Sequence, residues 1–191
     1  MAGLAPFCAG TLLRDSFLKS FPNHTLISKF NFQETRMKQD KNDEKGGKVT
    51  REQLIAGLNE DLAREYQAII SYVVYSQVLK GAEYMNIAEE LEKHAHEELA
   101  HALIIANQID YLGGDPIAAP KPVRTSDKNK EMLQFDLENE TTTIRNYRIR
   151  VDQCEELEEF AVGEHIREIL LDEQDHAIAL ATALGIDVPK I

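Results

Sequence analysis

The sequence predicts an all-α four-helix bundle of up-down-down-up topology, with one long crossover between its second and third helices. Three observations carry that expectation. Apolar residues recur at helical spacing along four long segments between residues 50 and 184. The step Glu98-Leu99-Ala100-His101 returns seventy-five positions later as Glu173-Gln174-Asp175-His176, and residues three apart stack on one face of a helix. Between the second and third segments lies a proline-rich stretch, residues 113–126, long enough to carry the chain from one end of a bundle to the other.

Thr50 opens the first helix as a capping box with Glu52 or Gln53, and Leu54, Leu58, Leu62, Ala68, Ile69 and Tyr72 follow at helical spacing. Neither Pro nor Gly interrupts residues 58–80, and Gly81 is a natural stop. Glu65 stands inside that apolar stripe, an unusual place for a carboxylate. The second helix is expected from about Glu83 to Leu112, ending at Gly113-Gly114-Asp115-Pro116. Ala88, Leu91, Ala95, Leu99, Ala102, Ile105 and Ile109 outline its apolar side, while His94 and His96 are expected at the surface, where they could help a cation pass. Glu97 lies four before His101, so spacing alone leaves it open as an inward group; Glu98 is favoured because its step to His101 matches that of Glu173 to His176.

Fourteen extended residues at ~3.3 Å each span roughly 45 Å, about the length of a thirty-residue helix. A connection of that length lets the third helix run parallel to the second. The third helix is expected from after Ser126 or Asp127 to about Glu158, with Met132, Leu133, Leu137, Ile144, Tyr147 and Val151 on its apolar side and Glu140 facing inward among them. The fourth runs from about Glu159 to Leu184 with Ile166, Ile169, Leu170, Glu173, His176, Ala177 and Leu180, and Gly185 closes it. Counted along these helices, Glu65, Glu98, Glu140 and Glu173 all fall at one level, roughly 20–25 Å from one end.

Four carboxylates crowded into a dry core repel one another strongly. Two divalent cations would neutralise them and use two imidazoles as further ligands, so the expected metal ligands are Glu65, Glu98, His101, Glu140, Glu173 and His176. Glu98 and Glu173, each paired with a histidine on its own helix, are the expected bridges. Glu65 with His101 would complete one ion and Glu140 with His176 the other. Carboxylate and imidazole without thiolate suit iron, with manganese as an alternative. The bland alternatives are a single ion or a purely structural ion-pair core. Tyr72 and Tyr147, each seven beyond a ligand, read first as core tyrosines; Tyr72 is the better candidate for a redox relay. Cys154 reads as a small core or surface residue.

At 191 residues the chain suits one domain with a sizeable core and an appended tail. No run approaches the ~18 apolar residues of a membrane helix, so no membrane partner is expected. Cys8 and Cys154 form no CxxC pair, which argues against a disulfide framework or a zinc or rubredoxin-type site and for a reduced, cytoplasmic setting. The net charge of −12 is uneven: residues 1–48 carry eight Lys/Arg against five Asp/Glu, and the remainder is strongly acidic. Such a body attracts cations and makes nucleic acid a poor partner.

The domain reading is an N-terminal extension over 1–48 and the helical bundle over 49–191. Met1 to Leu13 lacks the positive residues of a secretory signal, and the basic stretch Arg14 to Lys38 only faintly resembles an organellar transit peptide. The preferred reading is an over-extended frame with translation starting at Met37, ahead of a disordered tail; Asp40 to Lys48 reads as a linker.

The chain resembles bacterioferritins and their ferritin-like relatives across about residues 54–184. The matching pieces are LNEDLAREYQAIISY in the first helix, EELAHA in the second, MLQFDLENE in the third and ILLDEQDH in the fourth. The resemblance implies a ferroxidase that oxidises Fe(II) with dioxygen or hydrogen peroxide at an intrasubunit di-iron site, two iron ions per subunit, and stores ferric mineral in a homo-oligomeric shell. It assigns Glu65, Glu98, His101, Glu140, Glu173 and His176 as ligands and suggests Tyr72 as the redox tyrosine. The family's haem-binding Met, directly after the second-helix Glu, is here Leu99, so no haem is expected. Only fifteen residues follow His176, too few for the family's short fifth helix, which leaves a twenty-four-subunit cage, a twelve-subunit shell and a dimer open. Rubrerythrins share the ligand pattern, but their electron-transfer cysteines are absent. Two alternatives stand beside iron storage: a non-storing di-iron or di-manganese enzyme that consumes peroxide, and a DNA-protecting shell protein using the basic tail.

Overall fold

The computed structural model describes residues 48–191, so the readings placed on the N-terminal extension, including Met37 as a start, fall outside the described residues apart from Lys48. Four long helices follow in order: α1 (Arg51–Val78), α2 (Met85–Tyr111), α3 (Asn129–Glu156) and α4 (Phe160–Leu184). A short 3-10 turn, Ala82–Tyr84, precedes α2, and no strand occurs among the described residues. No helix is long and apolar enough to cross a membrane.

The helix ends follow local chemistry. Thr50 and Gln53 form the capping box: the Gln53 amide donates to the Thr50 hydroxyl at 3.2 Å, and the Thr50 amide donates to Gln53 Oε1 at 2.9 Å. Gly185, at φ +69°, closes α4 in the left-handed conformation that glycine adopts without penalty. The α3–α4 turn is longer than expected: α3 ends at Glu156 and α4 begins at Phe160, and between them Glu158 takes φ +60° to reverse the chain.

The crossover is laid along α1 by a row of α1 side chains and carbonyls one turn or more apart. Asn59 accepts from the Ile117 amide at 2.7 Å and donates to the Asp115 carbonyl at 3.2 Å. The Ala63 carbonyl accepts from the Lys121 amide, Gln67 donates to the Pro122 carbonyl at 2.6 Å, and the Tyr75 hydroxyl donates to the Arg124 carbonyl. Beyond the end of α1, the Lys80 carbonyl accepts from Asn129 Nδ2. The crossover therefore advances in the same direction as α1 and delivers α3 to the end where α2 begins. That makes α3 parallel to α2 and yields the up-down-down-up order.

Two apolar layers hold the bundle. One gathers Leu54, Leu58, Leu62, Ile105, Ile109 and Ile166; the other gathers Leu91, Leu133, Leu137, Ile144, Ala177 and Leu180. Each buried Leu or Ile contributes ~1.5–3 kcal/mol relative to exposure. Along each helix the acidic core residue falls between members of the two layers: Glu65 between Leu62 and Tyr72, Glu98 between Leu91 and Ala102, Glu140 between Leu137 and Tyr147, Glu173 between Ile169 and Ala177. The polar centre is thus sealed above and below by hydrocarbon. Leu99, expected on the apolar side of α2, is instead about half exposed: turning Glu98 inward rotates its neighbour ~100° around the helix.

Candidate metal centre

All six expected ligands meet in the middle of the bundle. Glu65 comes from α1, Glu98 and His101 from α2, Glu140 from α3, and Glu173 and His176 from α4, none more than 2% exposed. Helical spacing positions each one: Glu98 with His101, and Glu173 with His176, lie three apart and share a face. The alternative on α2 separates cleanly, since Glu98 is buried while the Glu97 side chain is 48% exposed.

His101 Nδ1 lies 3.3 Å from Glu98 Oε2, 3.3 Å from Glu173 Oε1 and 3.5 Å from Glu65 Oε2. His176 Nδ1 lies 3.0 Å from Glu98 Oε1 and 3.5 Å from Glu173 Oε2. Despite this crowding, Glu65 Oε2, Glu98 Oε1, both Glu173 oxygens and His176 Nδ1 make no hydrogen bond. Buried polar atoms are ordinarily paired, and atoms that crowd without aligning on each other form a donor set that could hold a shared cation. The donors resolve into two groups, Glu65, Glu98, His101 and Glu173 in one and Glu98, Glu140, Glu173 and His176 in the other. Within each, one atom per residue lies within 4.8 Å of the rest. Glu98 and Glu173 belong to both.

The electrostatics are those of a cluster holding protons where cations would sit. Burial raises Glu65 and Glu140 well above the usual carboxylate range, and the charges on Glu98 and Glu173 push them further. Burial also acts to raise Glu98, but close contacts with Glu65 and with the His101 and His176 imidazoles favour its charged form, outweigh burial and hold it low. Burial and the Glu98 charge act to raise Glu173, and contacts from His101, His176 and Glu140 reverse them. Burial disfavours the imidazolium of His176, yet Glu173 and Glu98 push it up to about 12; Glu173, Glu65 and Glu98 raise His101 likewise.

Outside this ring of donors the seventy-five-residue offset persists. The Tyr72 hydroxyl donates to Glu140 and the Tyr147 hydroxyl to Glu65, tying α1 to α3 in both directions. His101 Nε2 meets Asp172 Oδ2 at 3.1 Å, and His176 Nε2 meets Glu97 Oε2 at 2.9 Å. Such outer carboxylates fix the tautomer and orientation of a ligating imidazole. Asp61 and Asp136, each four before a core Glu, are both buried. Asp61 is bound by Arg150 at 2.8 Å, yet burial lifts it to about 6; Asp136 has no such bond, and burial with the Glu98 charge raises it well above the usual carboxylate range.

His94 departs from its expected place at the surface. It is 3% exposed, stacked on the His176 ring at 4.0 Å between centroids and edge-on to Tyr72 at 5.4 Å. Burial holds its imidazole at about 4, with the charge on His176 adding to the effect. The signal was present: His94, Glu98 and His101 follow the i, i+4, i+7 pattern of one helix face. Asp61 and Asp136 carried the same kind of signal, lying one turn before Glu65 and Glu140. Cys154 is a buried core residue of the first apolar layer.

The ferritin family model, described as a ferritin-like domain, matches residues 55–186. A bacterioferritin of Brucella melitensis is 28% identical over 134 residues, covering 70% of this chain and 83% of its own. Among solved structures, a ferritin-like diiron-carboxylate protein of Bacillus anthracis superposes with a TM-score of 0.68 at 33% identity, covering 70% of this chain and 96% of its own. The bacterioferritin-related, dodecameric thioferritin of Bacteroides fragilis gives 0.67 at 28% identity, covering 73% and 88%.

Proposed function

The chain belongs to the ferritin-like family, and from that premise we propose that it is a ferroxidase, oxidising Fe(II) to Fe(III) for storage and detoxification inside a shell built from its own copies. The observation that carries this reading is the pair of four-residue donor groups sharing Glu98 and Glu173. Two Fe(II) ions are the substrate: Glu65 and His101 hold one, Glu140 and His176 the other, and Glu98 and Glu173 bridge them. Each Fe(II) gives up one electron to dioxygen or hydrogen peroxide. Manganese fits the same oxygen and nitrogen donors.

The chain's own groups orient and insulate this chemistry. The Tyr72 and Tyr147 hydroxyls fix the outer carboxylates of Glu140 and Glu65. Asp172 and Glu97 hold the outer nitrogens of the two imidazoles, so that Nδ1 of each faces the centre. Leu62, Leu91, Leu137 and Ile169 keep water out from both ends. Tyr72 is the proposed redox relay, because its ring packs edge-on against both His94 and the ligand His176, at 5.4 and 6.1 Å. No haem is proposed, since Leu99 presents no donor atom.

The proposed shell is supported by the dodecameric assembly of the Bacteroides fragilis relative and by apolar side chains left at the surface, including Val73 and Val78 on α1 and Leu103 on α2. The proposed setting is cytoplasmic. Glu98→Ala and Glu173→Ala should each abolish rapid Fe(II) oxidation, read from ferric absorbance after anaerobic loading and exposure to air. A large particle accumulating many ferric ions per chain supports storage; a small oligomer that stops at two would assign the chain to the non-storing alternative, and undiminished oxidation in both variants would dismiss the site.

A further inference from the structure

We infer that His94, Glu97 and the outer nitrogen of His176 form a third divalent-cation site, on the solvent side of the dinuclear centre, that receives an ion such as Fe(II) or Co(II) before it passes inward. The inference rests on the dinuclear reading for its purpose, but its geometry brings in His94 and Glu97 and shares only His176 with that centre.

One donor atom from each of these residues falls within 4.8 Å of the other two. Two imidazoles and one carboxylate, with no thiolate, suit borderline divalent ions. The three residues grade from interior to surface: His94 and His176 are buried, and the Glu97 side chain is 48% exposed, so an ion can arrive from water. Glu90, with a carboxylate oxygen 4.0 Å from His94 Nε2, adds negative charge at the same opening. His94 Nδ1 is buried without a hydrogen-bond partner, so a ring nitrogen beside the other two donors is left for a ligand to satisfy.

The internal repeat supplies a control. His101 and Asp172 on the opposite side reproduce the contact of His176 with Glu97, at 3.1 against 2.9 Å. There the position seventy-five residues from His94 is Ile169, a buried hydrocarbon. Orienting an imidazole by an outer carboxylate therefore needs no third residue, and the polar ring at His94 has to be explained by something found on one side alone.

A neutral imidazole offers one lone pair and carries one N–H. With the lone pair of His176 at Nε2, the ring completes the outer site with His94 and Glu97. With the proton at Nε2, the ring donates to Glu97 and presents Nδ1 to the centre. Outer and inner occupancy on His176 thus compete, and Glu97 serves both states, as ligand in one and as acceptor in the other.

The test is anomalous diffraction from anaerobic Co(II)-soaked crystals of the full chain, in wild type, Glu140→Ala, His94→Leu and Glu97→Gln. A third peak within about 2.3 Å of a His94 ring nitrogen is expected in wild type, stronger in Glu140→Ala, where the inner ion on His176 loses a ligand, and absent from His94→Leu with both inner peaks retained. Glu97→Gln, a change at an exposed side chain, should weaken the third peak and slow Co(II) uptake severalfold, read from ligand-field absorbance. Inner peaks without any outer peak in both wild type and Glu140→Ala, or an outer peak that survives His94→Leu, would overturn the site; uptake by Glu97→Gln at the wild-type rate would overturn the loading role. Loss of the inner peaks would instead count against the dinuclear reading and leave this one to be judged on its own peak.

Discussion

Glu65 and Glu140 keep their protons because burial and two neighbouring carboxylates disfavour ionisation, while Glu98 and Glu173 stay charged because two imidazolium rings face them. The arrangement is neutral: two negative carboxylates against two positive rings. Two divalent ions on four carboxylates and two neutral imidazoles are neutral as well, so charge is conserved only if protons leave as ions enter. Loading at neutral pH should release up to four protons per pair of Zn(II), one each from Glu65, Glu140, His101 and His176. Since protons and cations compete, affinity should weaken as pH falls; indicator-dye titration in weak buffer measures the release, and loading without it would contradict this charge balance. The six residues were legible in the sequence because a carboxylate inside an apolar stripe breaks the pattern around it. His94 shared their helix-face spacing but was masked, because Glu90, Lys93 and Glu97 beside it read as a solvated face and Tyr72, which packs against its ring, comes from another helix.

At the scale of elements, α3 and α4 are joined by a turn in which Glu158 occupies the left-handed region at φ +60°. A side chain with a Cβ costs roughly 1 kcal/mol there relative to glycine, and Glu158 is exposed. Glu158→Gly should therefore raise stability by about 0.5–1 kcal/mol, seen as a higher midpoint in urea with unchanged m-value; a lower midpoint would show that the turn is held by the side chain. This turn was hard to read from sequence, which carries no glycine or proline between residues 116 and 163 except Pro120 and Pro122, so no residue marks where α3 gives way to α4. The crossover was easier, since Pro116, Pro120 and Pro122 exclude a helix. Its attachment to α1 was not visible, because Asn59, Gln67 and Tyr75 bond to carbonyls and amides that no side-chain pattern announces.

For the molecule as a whole, the two apolar layers must hold together around a polar centre that subtracts from their effect. Four core carboxylates, two imidazoles, Asp61 and Asp136 are all desolvated there, and several of their oxygens lack a hydrogen bond. Leaving such groups unpaired costs about 1–3 kcal/mol each, so the folded chain gains most from whatever satisfies them. Binding to the folded state alone stabilises by RT ln(1 + [L]/Kd), about 2.7 kcal/mol per ion at a hundredfold excess over Kd. At roughly 2–4 °C per kcal/mol for a domain of this size, one ion should raise the melting temperature by ~5–11 °C and two by about twice that. The ferritin-like bundle should accordingly behave as one cooperative unit whose Tm climbs with Zn(II) at fixed pH, followed by scanning calorimetry. Replacing both bridging residues, Glu98→Gln with Glu173→Gln, should remove most of that climb while leaving the four helices intact by circular dichroism. A Tm indifferent to Zn(II), or a climb of equal size in the double variant, would mean that the ions stabilise the chain from its acidic surface and that the buried centre holds none.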